Sequence, residues 1–109
     1  MSENAIYLSS GLDELLAQAP IDDERLKPKR VLDGFGARVV LLAFAAGQEL
    51  REHSAPVPIL VQTLAGRVAF EVDGAETELA AGGIVNVAAG VRHAVRALEP
   101  SHVLLTLLG

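Results

Sequence analysis

Eight glycines set the grain of this chain. Between Val31 and Val91 they stand at Gly34, Gly36, Gly47, Gly66, Gly74, Gly82, Gly83 and Gly90, cutting the sequence into short apolar runs. Runs of this kind, spaced between turn signals, are the strands of a sandwich or barrel. The clearest unit is a hairpin: Arg67–Val72, the turn Asp73-Gly74, then Ala75–Leu79. Asp-Gly supplies the two positive φ angles of a type I′ turn, whose twist matches that of the strands it joins. Val68, Phe70 and Val72 alternate with Arg67, Ala69 and Glu71, so one face turns to a core. Further strands fit Arg38–Ala45, Ile59–Ala65, Ile84–Val87, His93–Leu98 and Val103–Leu108. Strands this short bury little alone, and rolling them into a closed or double-sheet jelly roll gives each a covered face. The expected class is therefore all-β.

The first thirty residues have a different texture. Leu12, Leu15 and Leu16 follow i, i+3, i+4 spacing, Ser10 is placed to cap them with Asp13 three residues on, and Pro20 ends the run. This predicts one short helix lying as a flap on the body, then a charged connector over residues 21–30. The chain divides into an extension, 1–30, and a barrel, 31–109. Its 109 residues make one domain, and 50% of them are hydrophobic, which argues against disorder. A small barrel has limited interior, so outward leucines such as Leu60, Leu64 and Leu105 call for cover. A homodimer is the expected assembly.

The charge balance narrows the partners. A net charge of -5 argues against nucleic acid, which is bound by clustered Lys and Arg. The one basic cluster, Lys27, Lys29 and Arg30, follows Asp22, Asp23 and Glu24, so it sustains no field. Cysteine is absent, which excludes disulfides, thiolate metal sites and Cys nucleophiles. No signal-peptide pattern and no run of ~18 apolar residues is visible, so no membrane partner and a cytoplasmic location are expected. There is no Gly-x-Ser-x-Gly elbow, phosphate loop or dinucleotide fingerprint.

Two histidines sit in matching glycine frames. Gly47 is followed by five residues and His53, with Gly66 closing the next strand; Gly82 is followed by five residues, then Ala88-Ala89-Gly90-Val91-Arg92-His93. From about Phe44 to Leu108 this resembles the paired motifs of the cupins, in particular small single-domain bacterial ones. The resemblance implies a jelly-roll, or double-stranded β-helix, barrel. It also implies that His53 and His93 lie on neighbouring strands and point inward, where cupins often hold a metal. The remaining motif positions depart from the pattern. Ala55 stands where the family has a second His, Ile59 where it has Glu, Ala88 where it has Pro, and Ala97 where it has Asn.

The expected site is thus a small, largely apolar pocket lined by Ile59, Val61, Val68, Phe70, Val85, Val95 and Ala97, with His53 and His93 as its polar groups. No tightly bound cofactor is expected, because two imidazoles bring no negative charge; a divalent transition metal held weakly by His53 and His93 is compatible with them. The leading functional reading is a binder of a small organic ligand. The alternatives are a metal-dependent enzyme of the oxygenase or isomerase type using His53 and His93, and a structural or regulatory interaction module. Alternation turns Glu52, Arg92, Arg96 and Gln62 away from the interior, leaves Arg51 on the nominal face of His53, and makes His102 a surface residue at a loop end.

Overall fold

The computed structural model describes residues 4–109. One helix, α1 (Leu12–Ala17), precedes nine strands. These are β1 (Lys27–Gly34), β2 (Ala37–Phe44), β3 (Glu49–His53), β4 (Ile59–Ala65), β5 (Arg67–Val72), β6 (Ala75–Ala80), β7 (Ile84–Val87), β8 (His93–Ala97) and β9 (Ser101–Leu108). They form a five-stranded sheet ordered β1-β2-β9-β4-β7 and a four-stranded sheet ordered β3-β8-β5-β6. All pairings are antiparallel. The chain passes between the sheets six times along the barrel, which is the jelly-roll arrangement.

The core lies between the sheets. Leu42, Phe44, Ile59, Val61, Val68, Phe70, Leu79, Val87, Val95, Ala97 and Val103 form one buried cluster. Along each strand these residues alternate with outward ones, as a pleat with one covered face requires. A second cluster sits on the outer face of the five-stranded sheet, where Leu15, Ala19 and Ile21 pack over Leu41, Ala43, Leu64 and Leu104. The N-terminal segment is therefore the flap that the leucine spacing predicts.

The Asp73-Gly74 turn has φ angles of 49° and 83°, the left-handed pair its sequence calls for. Gly66 is required for two reasons. Its φ is 84°, and a Cβ there would run into Ser101 Oγ and the Pro100 carbonyl.

Several expectations are corrected. β1 begins at Lys27, inside the stretch read as a connector, so the barrel's first strand crosses the 30/31 boundary. Its first four residues are exposed on both faces, and only pairing with β2 holds them extended. β3 was not legible, since its five residues carry three charges and little alternation. The helix cap is Gly11, without a side-chain hydrogen bond, while the Ser10 N–H is held by Glu14 Oε2 at 3.3 Å. Leu105 faces inward, opposite Val61. With Leu64 under the flap, two of the three leucines that called for a second copy find cover within one chain. No helix among the described residues is long and apolar enough to cross a membrane.

Candidate functional site at the loop end of the barrel

One end of the barrel gathers the two histidines. β3 ends at His53 and β4 starts at Ile59; β7 ends at Val87 and β8 starts at His93. The two connecting loops therefore leave the same end, and the Gly90 N–H binds the Ala55 carbonyl at 2.8 Å to join them. Across the four-stranded sheet, His53 stands directly opposite His93, and His93 opposite Val72. The ring centroids of the two histidines are 4.3 Å apart at an interplanar angle of 62°.

A β-bulge sets this geometry. Leu50 pairs with Val95 and His53 with His93, so β3 spends three steps where β8 spends two. The extra residue turns His53 to the inner face that Leu50 already shares, although simple alternation would separate them. Arg51 and Glu52 are both left exposed, which corrects the nominal placing of Arg51 beside His53.

Both rings are oriented in the same way. His53 Nδ1 lies 3.0 Å from the Arg51 carbonyl, and His93 Nδ1 lies 3.0 Å from the Val91 carbonyl. A carbonyl oxygen only accepts, so each Nδ1 carries the hydrogen and each Nε2 keeps its lone pair. His93 is 3% exposed and its Nε2 has no hydrogen-bond partner. Phe70 stacks behind it at 6.1 Å. Burial pushes the His93 pKa below its ordinary 6.5, against the Val91 hydrogen bond that raises it, and the neighbouring His53 lowers it further. His53 is only half-buried, so the pair is approached from its side.

The apolar positions read as a pocket all face inward. Ile59, Val61, Val68, Phe70, Val95 and Ala97 belong to the packed core cluster, and Val85 lies against it. They are packed against one another between the sheets. Arg92 and Arg96 are exposed and pair outward, with Glu52 at 3.0 Å and Glu76 at 3.4 Å. Gln62 lies on the outer face of β4. His102 is not a free surface residue, because its Nε2 donates to the Ala19 carbonyl at 2.7 Å and ties the flap to β9.

Arg38 was missed. It pairs with Leu107, which packs against the inner cluster, and it lies two residues before inward Val40. Directly opposed residues of an antiparallel ladder share a face, so Arg38 is on the inner face. Its row runs Arg38, Leu107, Ile59, Val87, at the loop end. It is half-buried, and no hydrogen bond or ion pair of its side chain is found among the described residues. The signal was present: Arg38 falls in phase with Val40, Leu42 and Phe44.

A groove of about 220 Å³ lies elsewhere, on the outer face of the four-stranded sheet over Ala69 and Ala94. Its rim is charged and exposed, with Arg96 and Glu76 paired to each other. Neither orphaned buried group faces it.

No family model matches the sequence, and no curated protein does. Solved structures match over most of the chain. An RmlC-like cupin from Desulfovibrio desulfuricans is 29% identical, with a TM-score of 0.79 over 86% of this chain and 92% of that one. A cupin 2 conserved barrel domain protein from Leptotrichia buccalis is 25% identical, with a TM-score of 0.81 over 88% of this chain and 47% of that one. A cupin superfamily protein from Desulfitobacterium hafniense shares the fold at 17% identity, with a TM-score of 0.78 over 84% of each chain. The chain is a small cupin-superfamily protein with a jelly-roll barrel.

Cupin barrels imply a metal, and the donor set here does not suit a tight one. His53 and His93 offer two neutral lone pairs. Ala55 packs against the apolar core, and Ile59 and Ala97 are part of it. Among the described residues no group of three or more His, Cys, Asp or Glu side chains is placed to hold a metal ion. A dication in this setting would lack the ligand charge that offsets its desolvation.

Proposed function

We propose that this protein binds a small organic molecule at the loop end of its barrel, between the histidine pair and the inner-face side chains opposite, without a tightly held metal. One observation carries the reading: His93 Nε2 is a buried acceptor with no partner, on a ring fixed by a hydrogen bond behind it and by Phe70 beside it. Buried polar atoms are nearly always satisfied, so an orphan held in a fixed direction marks where a partner's donor belongs. The packed interior limits how deep the ligand reaches, and the half-buried His53 marks the way in.

The test is the content of protein purified without an affinity tag. Native mass spectrometry should show less than about one transition metal per two chains, since two imidazoles make a weak site. It should also show a small organic adduct that His93→Leu loses. Near-equimolar metal, lost in both His53→Ala and His93→Ala, would replace this reading with the metal-enzyme one. The paired Nε2 lone pairs are what favour that second reading.

A further inference from the structure

The ligand's own chemistry follows from the two sheets that face each other at the loop end. One sheet contributes acceptors, because His53 and His93 each use Nδ1–H on a backbone carbonyl and present only a lone pair at Nε2. Facing sheets pack about 10 Å apart. On the opposite inner face stands a cation, Arg38, half-buried and without a side-chain partner among the described residues. The other arginines with resolved partners, Arg67, Arg92 and Arg96, all reach outward carboxylates. Arg38 makes no ion pair among the described residues, although Asp33 stands opposite it on β1. Its neighbours on the inner face are Leu107, Val40 and, directly opposite on the edge strand β1, the exposed Asp33. An inward guanidinium that is left unpaired can take an anion with two oxygens, which its planar fork binds bidentately.

We propose that the ligand is a small hydroxycarboxylate, with its carboxylate on Arg38 and its hydroxyl donating to Nε2 of the histidine pair. The charges fit this division. A carboxylate placed on the histidines would meet two lone pairs; placed on Arg38 it meets five N–H donors. A hydroxyl is the reverse, a donor that the imidazoles need and the guanidinium does not. The anion anchor deepens the small-molecule reading above and rests on it. It assigns Arg38 as a specificity residue that fixes the acid end of the ligand.

The experiment uses the full chain labelled with ¹⁵N at pH 7.5 in low-chloride buffer, with NMR signals read from the Arg38 side chain and both imidazoles. The probes are lactate, 3-hydroxybutyrate and mandelate, each against its neutral amide. At least one acid should shift Arg38, His53 and His93 along a single saturation curve. Its amide should bind roughly tenfold more weakly or worse, as loss of a charge-assisted hydrogen bond implies. Arg38→Gln should lower affinity for that acid by the same factor and leave the amide unchanged. Arg38→Lys, which keeps the charge but not the fork, should recover part of the loss. Acid and amide shifting the histidines equally, with Arg38 still, would overturn the anion anchor while keeping a ligand at the histidines. If no probe moves either imidazole, the small-molecule reading fails for this chemistry and the inference falls with it.

Discussion

Ser101 and His93 are both buried polar residues, at opposite ends of the barrel, and the fold treats them in opposite ways. At the closed end, Ser101 Oγ accepts from the Arg67 N–H at 3.0 Å and donates to the Glu99 carbonyl at 2.7 Å. Nearby, Gln48 accepts from the Ala45 N–H and donates to the Asp22 carbonyl, both at 2.7 Å. The Ser101 bonds fasten β9 to β5, and the Gln48 bonds tie the loop between β2 and β3 to the segment that precedes β1. At the loop end, His93 Nε2 and Arg38 are left without partners among the described residues. Where a buried polar group is satisfied from within, its work is structural; where it is directed and unsatisfied, its partner comes from outside. Thr63 Oγ1 is an exception on the structural side, buried and unpaired.

The contrast can be broken by mutation, beginning where the cost is greatest. Gly66→Ala meets both a left-handed φ and the Ser101 and Pro100 atoms, so urea unfolding should show a loss of about 3 kcal/mol or more. Ser101→Ala leaves the Arg67 N–H without its acceptor and should cost about 1–3 kcal/mol by the same measurement. His93→Leu removes the orphaned acceptor at similar volume. Even with the bond to the Val91 carbonyl lost, its effect should stay within about 1.5 kcal/mol, the range of volume-conserving swaps. If His93→Leu proves as damaging as Ser101→Ala, the two ends do not differ and His93 is structural.

A pH series sharpens the same comparison. Burial holds the folded-state pKa of His93 below the 6.5 of the unfolded chain. Between the two values the unfolded state binds more protons, so stability rises with pH there. The unfolding midpoint should be highest above about pH 6.5 and fall as the pH drops through it, levelling once folded His93 itself protonates. His93→Leu should flatten that slope, and Ser101→Ala should leave it intact. The smallest expected change concerns assembly. With Leu64 and Leu105 covered within one chain, the homodimer expected from composition rests on Leu60 and on Ile84, which is 59% exposed. Light scattering that gives a dimer mass for the parent and a monomer mass for Ile84→Glu would keep that expectation. A monomer in both would remove it.

Much of the barrel was legible because its strands carry local signals. The hairpin around Asp73-Gly74, and strands β4, β7, β8 and β9, follow from turn chemistry and period-two alternation, which act over a few residues. β1 and β3 were not, since charged edge strands lack a continuous apolar face, and the Phe35-Gly36 turn that joins β1 to β2 does not carry the Asp-Gly or Asn-Gly signal; they are strands because β2 and β8 pair with them. The candidate site divides along the same line. His53 and His93 stood out by their glycine frames, whereas Arg38 lay in plain phase with Val40 and Leu42 and lacked any motif to draw attention to it.

What the amino-acid order determined by itself was therefore the class of fold, the two histidines and the loss of the metal-ligand positions at Ala55, Ile59 and Ala97. Each is a matter of residue type and short spacing. The tertiary structure alone decided how those pieces meet. A bulge in β3, visible only against its partner β8, turned His53 inward beside His93 and sent Arg51 out. Sheet register brought Arg38 to the same end of the barrel from the facing sheet. Such juxtapositions come from pairing between strands distant in sequence, and alternation within one strand carries no information about them.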